Sequence, residues 1–329
     1  MERIRLVFEQ IEEARRLLED GSILKLRLAT ILLDNVAEIL MNRELRYRFA
    51  WDDRGQFLGK QNAYSPEERK NAERRFDEKV RLLIRLGKLS KDQGAVIDAC
   101  HQFRSEMFHV EQIRRPILRP AAVLLFHTVI DLSDQLLSRS YMLPGPSEKE
   151  SQAFIQRFGI GKGFLLDDEF PKKIGAVLRA GISFNPSGLP AALSEDLVER
   201  VDQTLTNLKY VSEGSSEQQI DRQLRYSQFW RTEGYKLAEA TAGEKLLAEA
   251  FDKWNSNGNA QYTLSRLRKW RRTAELIVSC PAPMALRHYC GIDKKFRPFE
   301  EEVHETVFQF EEHIDGLIEE ERIRESMRR

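Results

Sequence analysis

Apolar residues recur every three or four positions along nearly the whole chain, and two-residue alternation is weak throughout. That period places apolar side chains on one face of a helix and is incompatible with a half-buried strand. Ile4, Val7, Phe8, Ile11, Ala14 and Leu18 form one such stripe. Ser22 is expected to cap a second helix bearing Leu24, Leu28, Ile31, Leu32, Val36, Ile39 and Leu40. The polar, Gly-containing stretch from Trp51 to Tyr64 reads as a long loop. Ser65-Pro66-Glu67-Glu68 opens a helix that should stop at Gly87. Ser90-Lys91-Asp92-Gln93 is a second capping box, and Pro116 or Pro120 starts a further helix through Leu124, Leu125, Val129, Leu132 and Leu136. The expected class is all-α.

The 329 residues are enough for two cores. Pro144-Gly145-Pro146-Ser147 ends the first block, giving an N-terminal helical bundle over 1–143, a linker over 144–163 and a second, mostly helical C-terminal domain over 164–329. Its helices are expected near 192–211, 216–240, 243–255, 260–279 and 299–325, with turns at Ser183–Pro190 and Ser256–Asn259. No internal repeat is visible. No apolar run reaches the roughly 18–20 residues of a membrane span, and Met-Glu-Arg-Ile-Arg-Leu opens an amphipathic helix rather than a signal peptide. Cys100, Cys280 and Cys290 lack disulfide-framework or zinc spacing, so a reducing cytoplasmic setting without metal or cofactor is expected. Basic and acidic residues balance at 52 each, which argues against sequence-blind coating of nucleic acid. Charge is nevertheless unevenly placed: Arg266 to Arg272 is basic, whereas 299–321 is Glu-rich and holds no Lys or Arg.

Within 96–112, Val96, Ala99, Phe103, Met107 and Val110 share the core side of a helix. Asp98, His101, Arg104, Ser105, Phe108, His109 and Gln112 fall opposite. Arg104 and His109 lie about 140° apart and flank this polar face. A guanidinium to hold a phosphate and an imidazole to move a proton suit metal-free phosphodiester chemistry. Phe108 between them suggests a face covered by a second copy. The spacing alone is not diagnostic. About two Arg-to-His pairs at such separations are expected by chance, and the chain has two; Arg297 to His304 is set aside because Pro298 follows its Arg.

The run Ala99 to His109, with Ile117-Leu118-Arg119-Pro120 after it, resembles the HEPN superfamily (higher eukaryotes and prokaryotes nucleotide-binding) over about residues 1–143. That family carries an Arg, four to six residues and a His on a helical bundle; Ser105 stands where Asn, Asp or His more often follows the Arg. The resemblance implies a homodimeric, metal-independent endoribonuclease, in a toxin–antitoxin or antiviral-defence setting, whose composite site joins two motifs. It assigns Arg104 to the phosphate and His109 to proton transfer, with a 2′,3′-cyclic phosphate and a 5′-hydroxyl as products and DNA refused for want of the 2′-OH. Ser105 could orient a phosphate oxygen or the imidazole; His101 could bind phosphate or aid the dimer contact but reads first as a surface histidine without a role, and Arg114, Arg115 and Arg119 read either as steering RNA or as solvated surface. The C-terminal domain would set target choice or bind an antitoxin or regulatory protein.

Other features have plainer readings. Glu106 is expected to be a solvated carboxylate, and Asp34 with Asn35 a buried pair that satisfies itself, the alternative being a role in supporting the site residues. Gly159-Ile160-Gly161-Lys162-Gly163 lacks the spacing, hydroxyl and strand of a phosphate loop. Arg266 to Arg272 holds Trp270 and reads either as a solvated helix over a core stripe or as a single-stranded RNA contact. Val303, Val307, Phe310, Ile314 and Leu317 form an apolar seam on an acidic helix, to be packed on its own domain or against a partner helix. Two other classes therefore stand beside the nuclease: a non-catalytic helical interaction protein and an RNA-binding adaptor.

Overall fold

The computed structural model describes residues 2–59, 61–109, 114–137, 141–142, 153–154, 156–158, 165–166, 169–212, 216–230, 232–233, 235–236 and 244–327. It is all-α. Strand residues among those described are confined to Tyr141–Met142 paired antiparallel with Leu165–Leu166. The chain divides into two compact units, one of residues 1–192 with 280–287 and one of 193–279 with 288–329.

Unit 1 holds α1 (Glu2–Asp20), α2 (Ile23–Phe57), α3 (Pro66–Arg74), α4 (Phe76–Arg85), α5 (Lys91–His109), α6 (Arg115–Leu136) and α7 (Phe170–Ala180). Helix α6 packs against α1, α2, α5 and α7. Its Val123, Phe126, Val129, Ile130 and Leu132 are fully buried. By length and composition α6 is the one described helix apolar enough to cross a membrane, but most of it is enclosed in this unit. The expected domain boundary at 144–163 lies inside unit 1, because α7 belongs to the same core. Phe170 meets Phe8 with ring centroids 6.2 Å apart, and a Cβ added at Gly175 would stand 2.7 Å from Ile130. The proposed linker itself is mostly outside the described residues.

Local signals place the helix starts well. Ser90 and Gln93 exchange the two bonds of a capping box at 2.9 and 3.0 Å, and Ser65 Oγ accepts from the Glu68 amide at 3.1 Å. Ser22 precedes α2 in extended conformation but makes no side-chain cap bond. Two expectations are corrected. The loop expected over Trp51 to Tyr64 is helix as far as Phe57, because Asp52 and Asp53 are held by Arg69 of α3, and Tyr64 packs on Phe49 with centroids 5.2 Å apart. The helix expected from Ser65 to Gly87 breaks at Arg75, whose backbone is extended (φ −115°, ψ 124°) and whose guanidinium turns to Asp77.

Unit 2 takes α8 (Leu189–Val211) from Leu193 onward, α9 (Glu217–Trp230), α10 (Glu244–Ser256), α11 (Leu264–Leu276) and, from His288, α12 (Ala282–Met327). Leu193, Leu197 and Val201 of α8, Leu267 of α11 and Tyr289, Phe296 and Phe299 of α12 are core. Helix α12 begins well before the expected position and runs through Pro298. An interior proline costs about 3 kcal/mol. Here the burial of Phe296 and Phe299 on either side, and ion pairs from Arg297 to Asp293 and from Glu300 to Arg200, hold the helix together.

Arg200 is the centre of that network. It donates to Asp293 at 2.8 Å and to Asp196 at 3.3 Å, and also pairs with Glu300; Tyr289 donates to Asp196 at 2.6 Å. Asp293 is wholly buried. Burial opposes the charge on Arg200, but Glu300 and the two aspartates outweigh it and push the guanidinium pKa upward. Removing the cation leaves the wholly buried Asp293 with Arg297 alone and takes the guanidinium from Asp196 and Glu300. Arg200→Ala is therefore expected to lower the stability of unit 2 by about 3–5 kcal/mol, read as a fall in the urea midpoint of its unfolding transition. An unchanged midpoint would refute this account of the network.

Candidate functional site

Helix α5 lies against α2, α4 and α6. Its core side is as the period requires: Val96, Ala99, Phe103 and Met107 are buried. Val110 and Gln112 lie outside the described residues, as do the side chains of Phe108 and His109, so the Arg104–His109 distance is not described.

The polar face of α5 is organised by α2. The buried Asp34 carboxylate meets His101 Nδ1 at 3.0 and 3.1 Å through its two oxygens, and Arg104 Nε lies 3.9 Å from Oδ2. Phe76, the first residue after the α3–α4 break, stacks on the His101 ring with centroids 3.6 Å apart and planes 4° from parallel. The imidazole is thus fixed on one edge and one face while remaining about 29 % exposed. A carboxylate on Nδ1 selects the tautomer and orientation of a histidine. One turn along α2, Glu38 accepts from the buried Lys79 at 2.8 Å. Burial raises the Glu38 pKa, but Lys79 outweighs it and holds the carboxyl below the usual range. Arg104 and Ser105 are half-buried.

These positions correct several expectations. Asp34 and Asn35 do not satisfy each other: Asp34 serves His101, and Asn35 donates to Gln10 of α1 at 3.0 Å. Successive residues on a helix point about 100° apart. Glu106 is buried rather than solvated, accepting from Gln102 at 2.9 Å and from Arg114 at 3.2 Å. Arg114 also lies over the Phe103 ring at 5.8 Å, so this proposed steering residue is a buried clamp. Arg119 stacks on Phe184 at 4.6 Å and reaches the Leu18 carbonyl at 3.5 Å. It lies against Gly21, where φ is +72° and a Cβ would meet its guanidinium at 3.0 Å. Arg115 is the exposed member of the three.

The basic run in unit 2 is a solvated helix over a core stripe. Leu264, Leu267, Trp270 and Ala274 are buried. Arg271 forks onto Asp202 at 2.7 and 3.1 Å, Arg268 pairs with Glu217, and Arg266 lies over Trp270. With Trp270 only 8 % exposed, it offers little ring surface to a base. A different aromatic surface has no counterpart in the sequence expectation, which puts residues 51–64 in a loop. Tyr47, Trp51 and Phe57 of α2 are exposed, Phe57 at 91 %, with Tyr47 and Trp51 edge to face at 6.0 Å and Arg54 over Trp51 at 5.3 Å. Helical continuation through residues 51–54 is what brings Tyr47, Trp51 and Arg54 together, at i, i+4 and i, i+3 spacing; Phe57 is exposed on another side of α2.

Among the described residues no group of three or more His, Cys, Asp or Glu side chains is arranged to hold a metal ion. Asp98 shares the polar face of α5; desolvation and the Asp77 carboxylate push its pKa up to about 6, an effect that the openness of the residue to solvent weakens. A carboxyl with a raised folded pKa binds its proton more tightly in the folded state, so its contribution to stability falls as pH rises from about 4 to about 6. Asp98→Asn should therefore stabilise the protein at pH 7, with the gain vanishing below about pH 4; thermal melts across that range test it, and a pH-independent gain would contradict the assignment. No family model matches the chain, and neither a curated protein nor a solved structure matches it.

Proposed function

We propose that the protein is a metal-independent endoribonuclease of the HEPN type, working as a homodimer in which two copies of α5 place their Arg104 and His109 sets around one phosphodiester. The observation that carries this reading is the Asp34–His101 contact, with Arg104 one turn further along α5 and 3.9 Å from the same carboxylate. A phosphate-binding cation and a tautomer-fixed imidazole thereby share one half-open helix face. Exposed Tyr47 and Trp51 beside Arg54 add a surface suited to stacking single-stranded bases.

In this scheme a histidine accepts the proton of the ribose 2′-OH, and the 2′-oxygen attacks phosphorus. Arg104 offsets the charge gathering on the non-bridging oxygens. The P–O5′ bond breaks, a second imidazole protonates the departing 5′-oxygen, and a 2′,3′-cyclic phosphate and a 5′-hydroxyl result. His109 takes the acid–base role implied by the family resemblance. His101, held by Asp34, orients the phosphate or serves as the second imidazole, and Ser105 supports it. A cytoplasmic toxin or antiviral-defence effector is the setting this chemistry suits, with unit 2 setting target choice or receiving an antitoxin or regulator.

One observation favours a second reading. The apolar seam of α12 passes from buried Val303 through half-buried Val307, Phe310 and Ile314 to exposed Leu317, which suits a non-catalytic helical interaction protein. Incubating purified protein with a mixed RNA substrate in EDTA separates the two. The nuclease predicts cleavage leaving cyclic-phosphate ends, reduced at least about 100-fold in Arg104→Ala and His109→Ala while the helical circular dichroism signal is retained. Asp34→Asn should lower cleavage less than either and alter its pH profile, since the carboxylate acts through His101. RNA left intact by wild type, or cleaved equally by the Arg104 and His109 variants, would overturn the proposal; so would activity in a strict monomer.

A further inference from the structure

The seam of α12 leaves its own core by degrees. Val303 is 5 % exposed; Val307, Phe310 and Ile314 are half-buried; Leu317 is 52 % exposed, with Ile318 beside it at 47 %. Tyr210 covers part of Phe310, edge to face at 5.7 Å. At the inner end of the seam a cavity of about 220 Å³ opens, walled by Leu208, Val211, Ile220, Leu224 and Val303. Three hydroxyls in its lining turn to backbone carbonyls of their own helices: Ser212 to Lys209, Ser227 to Leu224 and Thr306 to Glu302. What remains is a mostly apolar socket for one apolar side chain, with the Gln223 and Glu302 side chains also in its lining.

Charge selects the occupant. Residues 299–321 carry nine Glu and one Asp and no Lys or Arg, and Glu301, Glu305, Glu311 and Glu312 are exposed. Such a surface repels nucleic acid and anionic lipid. A parallel second copy would set acid against acid. An antiparallel copy would bring up Arg322 and Arg324, which lie within reach of Glu319, Glu320 and Glu321 of their own helix. We propose that this seam is the docking site for an amphipathic helix of another protein that carries Lys and Arg beside its apolar stripe and seats one apolar side chain in the cavity. Apolar anchors at helical spacing would give the affinity and the flanking cations the choice of partner. The inference stands on unit 2 alone and survives whether or not unit 1 cleaves RNA.

The test uses the full-length protein and a labelled synthetic peptide of about three heptads with Leu at the seam positions and Lys on the flanks. Anisotropy should show saturable binding, and circular dichroism should show the peptide becoming helical. Leu317→Asp and, separately, Glu305→Lys with Glu312→Lys should each weaken binding roughly tenfold; all three sites are exposed, so unchanged thermal melts will show the fold intact. A peptide with Glu flanks should not bind. Equal binding of a Lys peptide with Ser in place of Leu would reduce the effect to charge and overturn the proposal, as would failure of the Leu/Lys peptide to bind. A wild-type dimer that excludes the peptide and is dispersed by Leu317→Asp would assign the seam to a second copy instead.

Discussion

A buried carboxylate on α2 organises the candidate site. Asp34 sits among Leu33, Val36 and Ala37, where an unpaired charge would be costly. It is tolerated because His101 and Arg104 of α5 come to it. With the apolar side of α5 buried, the pairing fixes where the His101 ring sits on its outward face. It also depends on a break elsewhere: extended Arg75 between α3 and α4 lets Phe76 lie flat on the His101 ring. Long-range packing, a break between two short helices and a polar contact thus converge on one imidazole.

Polar groups in both units follow one rule. Where a charge is buried, a specific partner reaches it: Lys79 with Glu38, Glu106 with Arg114, and Asp293 with Arg200 and Arg297. Several arginines that look like a phosphate-binding set in the sequence are consumed by these pairings. Arg114 and Arg119 close the N-terminal end of α6 onto its neighbours, and Arg268 and Arg271 bind acidic groups of unit 2. Arg54, over Trp51, and Arg115 stay exposed, while Arg104 on α5 is half-buried beside Asp34. A net-neutral chain is then no obstacle to a nuclease that grips one phosphate tightly.

Much of the helical skeleton was legible in the sequence. The capping box at Ser90–Gln93, the Ser65-Pro66 start, the core stripe Val96–Ala99–Phe103–Met107 and the stripe Leu264–Leu267–Trp270–Ala274 are local patterns, set by residues a few positions apart. Less legible were Trp51–Phe57, Arg75 and Pro298, where local preference points one way and packing the other. Polarity suggested a loop at Asp52-Asp53-Arg54-Gly55, but Arg69 neutralises both aspartates and the helix continues. Pro298 suggested a helix start, but buried phenylalanines on both sides hold a continuous helix through it. The division of the chain was misplaced for the same reason, since α7 follows a Gly- and Pro-rich stretch yet fills the core of unit 1.

By itself the sequence determined that this chain is all-α, where most helices begin, and which side of each is apolar, because those properties depend on backbone period and on neighbours within about one turn. It also placed Arg104, Ser105 and His101 on one polar face. Only the tertiary structure decided that Asp34 is the partner of His101, that Arg114 and Glu106 are buried together, and that Tyr47 and Trp51 meet edge to face on an exposed part of α2. Residues 34 and 101, or 18 and 119, meet through packing of separate helices, and no local period encodes which charges will find each other across that distance.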